Sequence, residues 1–143
     1  MARVKIAIPL SYHFFTTIPV RVTDINYGGH VGNDAVISIV HEARMQYLLH
    51  HGLTELEFSG VGLIMGDLAV EFKAESFYGD RINIAIASTE FTRVGFDIIY
   101  ELSKETTGKN IVVALVKTGM ICFDYNSKKV SSLPQGIKER LGS

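Results

Sequence analysis

The sequence DINYGGHVGND, residues 24–34, gathers acidic, amide and imidazole side chains around a glycine pair. Its polar residues are Asp24, Asn26, His30, Asn33 and Asp34. Apolar residues recur at helical spacing from Val36 onward, and Gly52 is a suitable stop. Because Asn33 is a suitable N-cap, the pattern predicts one long helix over about 33–51. A polar glycine turn is therefore expected at the start of an unusually apolar helix.

The rest of the chain has the alternating, β-branched pattern of strands. The predicted strands are TTIPVRVT (16–23), LIMGDLAVEFKAESF (63–77), the isoleucine alternation at 82–86, the apolar alternation at 96–102 and IVVALVKTGMICFDY (111–125). Gly66 suggests a bulge or bend, KETTGKN (104–110) a hairpin loop, and LPQGIKERL (133–141) a short closing helix. One helix against antiparallel strands predicts an α+β fold in which a five-stranded sheet curls around the helix.

Composition limits the class of protein. The 143 residues suit a single domain over 1–143, and the formal net charge of −1 offers no basic surface for nucleic acid. Every apolar run is shorter than the roughly 20 residues of a membrane-spanning helix, so no membrane partner is expected. The N-terminal stretch MARVKIAIPLSYHFF reads as mature chain. The single cysteine, Cys122, favours a buried thiol in the reducing cytoplasm.

Three stretches together resemble a known family. VRVTDINYGGHVGNDAVISIVHEAR (20–44) resembles the opening of the 4-hydroxybenzoyl-CoA thioesterase group of hot-dog-fold acyl thioesterases, with its Asp-x-Asp-x-x-Gly-His-Val-Asn-Asn turn and Glu-x-Ala-Arg helix. LAVEFKAESFYGDRINI (68–84) and GMICFDYNSKKVSSLPQGIKERL (119–141) are similar to later strands of that family. The resemblance covers about residues 15–141. It implies a central helix wrapped by five strands, a homodimer or homotetramer, and acyl-CoA sites at the subunit interface.

The chain departs from the family pattern at the carboxylates. Asn26 occupies the second acidic position of the turn, where many members carry the catalytic carboxylate. His41 stands where the helix usually carries Glu, and Gly32 replaces the first Asn of the Asn-Asn pair. Acids remain nearby at Asp34 and Glu42, among others. We therefore expect the catalytic chemistry to be distributed differently in this chain.

Thioester hydrolysis requires a base or nucleophile, donors for the developing oxyanion and room for coenzyme A. A helix start supplies unpaired amides, so the amides of residues 29–33 are candidate oxyanion donors. The candidate catalytic residues are Asp24, Asn26, His30, Asn33 and Glu42. The candidate substrate-binding residues are Gly28, Gly29, Gly32 and His41, since glycine lets backbone approach a ligand closely. No metal spacing is present, and no cofactor is expected beyond coenzyme A as part of the substrate.

Several roles stay open at this point. Asp24 suits either a base or an Asx-type turn group, and Asn26 suits a water-orienting amide. As an imidazole, His30 suits either a general base or a group that polarises the thioester carbonyl. Glu42 is expected to be exposed or to reach a partner subunit's site. Arg44 falls on the apolar helix face, so it requires an anionic partner, either Asp24 or a strand acid.

Two other functions compete with the hydrolysis of an acyl-CoA or acyl-carrier-protein thioester. The turn is also similar to the Asp-x-Asn-Pro-x-His pattern of hot-dog (R)-specific enoyl-CoA hydratases, although it lacks the Pro and has one extra residue before His30. A non-catalytic acyl-CoA-binding dimer is the third reading, motivated by Asn26 and His41. Two unpaired edges of an antiparallel sheet also favour pairing with another copy of the chain.

Overall fold

The structure is a computed structural model that describes residues 1–142. In chain order its elements are β1 (Phe14–Pro19), a 3₁₀ turn (Val22–Asp24), α1 (Asn33–His50), β2 (Gly62–Phe72), β3 (Arg81–Thr89), β4 (Gly95–Thr106), β5 (Lys109–Asp124), β6 (Lys129–Val130) and α2 (Ile137–Leu141). Across the sheet the order is β1-β3-β4-β5-β2, with neighbouring strands antiparallel and β6 paired to the end of β5. The α+β hot-dog prediction is confirmed, with a short sixth strand added.

The long helix α1 is the centre of the core. Ile39, Val40, Ala43 and Leu48 are each at most 1% exposed. They belong to one cluster with inward-facing strand residues, among them Ile82, Ile84, Ile86, Ile98, Leu102, Val116 and Met120. Burying one such aliphatic side chain contributes about 1.5–3 kcal/mol. This packing fixes α1, and therefore its N-terminal end, relative to the sheet.

The predicted helix over 33–51 is confirmed, but its cap differs from the prediction. The N-cap is Gly32, which has extended backbone and no side chain to bond the helix amides. Asn33 is the first helical residue, so its prediction as N-cap was wrong.

Thr107 and Gly108 form the tight β4–β5 turn, where both have positive φ (51° and 77°). This turn is shorter than the loop expected at 104–110.

The predicted bulge in the long strand is confirmed. The β2–β5 register shifts between Met65 and Asp67. A Cβ on the intervening Gly66 would lie 2.4 Å from the Cδ1 of Ile121, so the end of the Ile121 side chain would have to shift. The absence of a side chain at Gly66 therefore lets Ile121 pack closely against β2 at the bulge.

Two strands end earlier than predicted. β1 stops at Pro19 rather than at residue 23, and the chain turns into the 3₁₀ segment, where the backbone amide of Arg21 donates to Asp24 Oδ2 at 2.8 Å. β2 stops at Phe72 rather than at residue 77. There the amides of Lys73 and Ala74 both donate to Val113 O, at 2.8 and 3.1 Å. Two donors on one carbonyl mark the point where the regular ladder ends.

The residues after β2, here called the 73–80 segment, are held by a buried lysine. Lys104 is 8% exposed, and its Nζ donates to Glu75 O at 2.7 Å and to Asp80 Oδ2 at 2.8 Å. The same Asp80 oxygen accepts the Phe77 amide at 2.9 Å. Burial raises the pKa of the Asp80 carboxyl, but Lys104 and the Phe77 amide outweigh it, so the pKa lies below its ordinary value. The segment is thus fixed in place rather than free to move as a loop.

Candidate functional site

The carboxylate of Asp24 is occupied by a neighbouring arginine. Its Oδ2 accepts the backbone amide of Arg21 at 2.8 Å and the Arg21 Nε at 3.2 Å. Its Oδ1 accepts the Arg21 Nη2 at 3.0 Å, and the Asp24 residue is only 4% exposed. A carboxylate already satisfied on both oxygens is a poor proton acceptor, so this geometry favours the turn-stabilising interpretation of Asp24 over the base.

The glycine turn uses most of its own amides internally. The Gly28 amide donates to Asn26 Oδ1 at 2.8 Å, and the Gly29 amide donates to the backbone carbonyl of Asn26 at 3.1 Å. The Gly32 amide donates to Asp24 O at 3.1 Å. Gly29 has φ of +82°, which explains the need for glycine there. These three predicted substrate-binding residues therefore shape the turn, and their amides are not free to bind a ligand.

The unpaired amides lie in the first turn of α1. The Val36 amide donates to Gly32 O at 3.1 Å and makes the first hydrogen bond of the helix. The preceding amides of Asn33, Asp34 and Ala35 have no acceptor within the helix, as in any helix start. The helix macrodipole adds partial positive charge at this end. The amides without an acceptor in the helix therefore begin at Asn33, the last of the residues 29–33 that the sequence suggested.

A cleft of about 290 Å³ lies beside this helix start. It runs between α1 and the 73–80 segment and is lined by His30, Val31, Asn33, Val36, Phe72, Lys73, Ala74, Glu75, Ser76 and Val113. Of the predicted site residues, His30 and Asn33 line this cleft. Asp24, Asn26 and Glu42 are not among its lining residues in the part of the chain that the structure describes. The cleft thus brings together one predicted imidazole, one predicted amide and residues that had not been predicted.

The orientation of His30 leaves one ring nitrogen available. Its Nδ1 lies 3.2 Å from the carbonyl oxygen of Val31. Because a carbonyl only accepts, this contact assigns the proton of the neutral ring to Nδ1 and leaves Nε2 as an acceptor. The side chain is half-buried at the cleft wall. His30 therefore keeps one ring nitrogen that can accept a hydrogen bond.

Sequence reasoning missed Glu75 and Ser76. Among the cleft-lining residues of 1–142, Glu75 is the one carboxylate. Ser76 is 4% exposed, and its Oγ has no hydrogen-bond partner among the described residues. Its carbonyl accepts the Val31 amide at 2.8 Å, which ties the 73–80 segment to the glycine turn. Both residues were read as the end of a regular strand, and no Pro or Gly before them marks the bend after Phe72.

The helix residues 41–44 face a different neighbourhood. His41 Nε2 lies 2.9 Å from Glu55 Oε1, and Arg44 Nε lies 3.5 Å from the same oxygen. The Arg44 Nη1 donates to the Tyr100 hydroxyl at 3.2 Å, and that hydroxyl is 2.7 Å from Thr118 Oγ1. Arg44 is therefore a structural residue, as expected, but its anionic partner is Glu55 in the loop after α1. The prediction of Asp24 or a strand acid was wrong.

The other predicted residues of the helix also lie outside the cleft. His41 does not line it, and its contact with Glu55 satisfies the ring on the protein surface. Glu42 is exposed, and its Oε2 accepts the Gln46 Nε2 at 2.8 Å. Within residues 1–142 no group of three or more His, Cys, Asp or Glu side chains is arranged to hold a metal ion. Over the same residues, no helix is long and apolar enough to cross a membrane.

Comparison with known proteins places this site in a family context. A family model described as "Thioesterase-like superfamily" matches residues 20–141. The chain is 28% identical over 126 residues to a 1,4-dihydroxy-2-naphthoyl-CoA hydrolase from Microcystis aeruginosa, covering 86% of this chain and 88% of that protein. The family match includes the glycine turn, α1 and strands β2 to β6.

Solved structures share the fold at lower identity. A 1,4-dihydroxy-2-naphthoyl-CoA thioesterase from Synechocystis superposes with a TM-score of 0.78 at 21% identity, covering 90% of this chain and 94% of that one. The 4-hydroxybenzoyl-CoA thioesterase from Pseudomonas sp. strain CBS-3 superposes with a TM-score of 0.80 at 16% identity, covering 91% and 99%. At these identities the likeness shows the common fold.

Proposed function

The chain belongs to the thioesterase-like superfamily, and we propose that it hydrolyses the coenzyme A thioester of a compact, hydroxylated aromatic acid in the cleft beside the start of α1. The observation that carries the proposal is a cleft at the start of α1 that is lined by both His30 and Asn33, the first residue of the helix. The products are the free acid and the thiol of coenzyme A.

The coarser predictions are settled by the family. The resemblance to the 4-hydroxybenzoyl-CoA thioesterase group is confirmed by the family match and by the structural neighbours. The prediction of a thioester hydrolase is confirmed by the family and by relatives named as CoA hydrolases and thioesterases. The acyl group, the roles of individual residues and the oligomeric state belong to the proposal.

The helix start provides the electrostatic part of the reaction. As water attacks, the thioester carbonyl oxygen gains negative charge, and in the proposal it is stabilised by the helix-start amides beside the cleft, where Asn33 is a lining residue. One good oxyanion donor contributes about 3 kcal/mol to the transition state. The donors are part of a packed helix, so they require no reorganisation during the reaction. This is the strongest physical support for hydrolysis at this end of α1.

The proton is handled by His30. In the proposed step its Nε2 takes a proton from the attacking water, the carbonyl carbon becomes tetrahedral, and the C–S bond then breaks to release the thiolate of coenzyme A. The imidazolium returns the proton to that thiolate. Glu75 is a carboxylate of the same cleft. In this way a histidine and a new acid replace the carboxylate that the family usually carries at the position of Asn26.

The size and lining of the cleft support a compact acyl group. Its volume, about 290 Å³, lies near the lower end of the roughly 300–1,000 Å³ of small-molecule pockets. Its apolar walls include Val31, Val36, Phe72 and Val113. The relatives are named for dihydroxynaphthoyl and hydroxybenzoyl thioesters, which are flat and contain few atoms. A long fatty acyl chain is a poorer match to this volume.

A homodimer completes the proposal. β2 pairs with β5 on one side only and so presents an open edge. Met65 and Phe72 on β2 are 43% and 51% exposed, and the nearby Phe77 and Tyr78 are 45% and 70% exposed. An open edge beside exposed apolar side chains favours pairing with a second copy. Glu42 is exposed, and its contact with a partner's cleft belongs to this proposal. A cytoplasmic location stays a prediction.

A thiol-release assay tests the proposed function. We expect steady release of coenzyme A from 1,4-dihydroxy-2-naphthoyl-CoA and 4-hydroxybenzoyl-CoA, with kcat/KM at least roughly tenfold above that for palmitoyl-CoA. Crotonyl-CoA serves as the control for hydration, which consumes the enoyl absorbance without releasing thiol. Hydration without thiol release, or tight binding of every thioester without turnover, would contradict the proposal.

A further inference from the structure

Ser76 presents an unusual group inside the proposed acyl cleft. The residue is 4% exposed and lines the cleft, yet its Oγ has no hydrogen-bond partner among residues 1–142. Buried hydroxyls in folded proteins nearly always have a partner. Leaving one unpaired costs about 1–3 kcal/mol. A free serine hydroxyl at the wall of a ligand site is therefore explained if a ligand supplies the partner.

The position of Ser76 is fixed by contacts on both sides. Its own carbonyl accepts the Val31 amide at 2.8 Å, and the carbonyl of the preceding Glu75 accepts Lys104 Nζ at 2.7 Å. Only rotation about the Cα–Cβ bond remains, which moves the hydroxyl between three staggered positions. The backbone therefore holds Ser76 at the cleft wall, and its hydroxyl, which is buried in the observed rotamer, reaches a ligand by a change of rotamer.

From this arrangement we propose that Ser76 is a specificity-determining residue, whose Oγ hydrogen-bonds an oxygen substituent on the acyl group. The inference rests on the proposed function, since it places the acyl group in the cleft. Thioester recognition is assigned to the amides of α1, so the hydroxyl is left for the acyl part. The walls around it are formed by Val31, Val36 and Val113, and the other neutral side-chain donors of the cleft, Asn33 and His30, lie at the start of α1 where the thioester is placed.

The chemistry predicts selectivity between closely matched acyl groups. A substituent oxygen opposite Ser76 gains a hydrogen bond and ends the unpaired state of the hydroxyl. An acyl group with hydrogen at that position offers no partner to the Ser76 hydroxyl. Its binding also excludes water from the cleft, so the hydroxyl stays unpaired. Sites built around a buried polar group discriminate strongly against ligands that lack its partner. Ser76 therefore favours hydroxylated over unsubstituted aromatic thioesters.

The test compares Ser76→Ala with wild type on two matched substrate pairs, 4-hydroxybenzoyl-CoA with benzoyl-CoA and 1,4-dihydroxy-2-naphthoyl-CoA with 2-naphthoyl-CoA. We expect Ser76→Ala to lower kcat/KM about tenfold for at least one hydroxylated member and to change the unsubstituted members less than about twofold. Ser103→Ala is the matched control, because Ser103 is similarly buried at 8% exposure but lies in β4 outside the cleft. It should leave the ratio between pair members unchanged.

Three results overturn the inference. An equal loss on both members of each pair assigns Ser76 to the thioester or to folding, and no loss on either removes it from the site. If wild type hydrolyses none of the thioesters, the proposed function fails. The role of Ser76 is then decided by calorimetric titration of wild type and Ser76→Ala with 1,4-dihydroxy-2-naphthoate and 2-naphthoate. A preference for the dihydroxylated acid that disappears in Ser76→Ala supports the inference, and an unchanged preference contradicts it.

Discussion

The start of α1, taken with the glycine turn before it, and the stretch at residues 41–44 each carry a histidine, but the two histidines have different surroundings. At the first turn, His30 keeps a free ring nitrogen beside a cleft, and the helix amides have no acceptor within the helix. In the later stretch, His41 and Arg44 both contact one carboxylate, Glu55, and Arg44 also contacts the Tyr100 hydroxyl. The groups beside the cleft are open to a ligand, whereas His41 and Arg44 are engaged with Glu55 and Tyr100, although the Arg44 Nε has no hydrogen-bond partner among the described residues.

The comparison also explains why a family pattern is an incomplete guide to the site. The family usually places a carboxylate where His41 stands, yet in this chain that position belongs to an ion-pair network on the protein surface. The 73–80 segment instead brings Glu75 and Ser76 to the cleft. The helix position that the family pattern marks therefore lies outside the cleft, and polar groups of the 73–80 segment line it instead.

The largest effect is expected from Arg44→Leu. The side chain is buried, and its removal leaves Glu55 without a guanidinium beside it. Breaking one side of a buried ion pair costs about 3 kcal/mol or more, and the partial exposure of Glu55 keeps the loss near the lower limit. Urea denaturation followed by circular dichroism measures the free energy of unfolding. An unchanged free energy would mean that this network does not stabilise the fold.

The next effect separates the two histidines by activity. His30→Ala should lower kcat roughly 100-fold with the unfolding midpoint unchanged, because a positioned base contributes about that factor. His41→Ala is the matched control, and it should keep kcat within about twofold, since exposed ion pairs contribute only about 0–1 kcal/mol. Steady-state kinetics on 4-hydroxybenzoyl-CoA measures both. Equal losses in the two variants would contradict the distinction between the start of α1 and the stretch at residues 41–44.

The smallest effect concerns the anchor of the 73–80 segment. Asp80→Asn should lower the free energy of unfolding by about 1 kcal/mol near pH 7, since it weakens the contact with Lys104. The folded pKa of Asp80 lies below its ordinary value. The stabilisation is therefore complete above the unfolded pKa, near 4, and is lost as the pH falls through the lower folded pKa.

Urea denaturation of wild type and Asp80→Asn at a series of pH values from about 7 down to about 2 checks this dependence. The difference between the two proteins should shrink toward zero at the acid end. A difference that stays constant with pH would show that the Asp80 charge does not contribute, and that the substitution acts through shape alone.

Regular elements were predictable because their spacing is written along the chain. The apolar residues of α1 recur every three to four positions, and the isoleucines of β3 alternate, so each element's type follows from local periodicity. Gly66 marked its bulge for the same local reason. The ends were less predictable: the stop at Phe72 depends on Val113 O accepting two amides, and Val113 lies about forty residues away.

The site was predictable where a residue's role depends on its immediate neighbours. His30 and Asn33 stand just before or at the start of a helix, and a helix start always leaves amides unpaired. Asp24 looked equally suitable as a base, but its carboxylate is held by Arg21. Glu75 and Ser76 carry no local mark, because they reach the cleft only through the turn after β2 and the contact with Val31.

From the order of residues alone came the α+β class, the central helix, the antiparallel strands and a polar turn at the helix start, since periodicity and glycine placement are local properties. Folding in three dimensions selected which polar groups stay unpaired. That selection depends on long-range contacts, such as Arg44 with Tyr100 and Ser76 with Val31, whose partners are far apart in sequence. A side chain's availability for chemistry is set by what lies against it, and that is a property of packing.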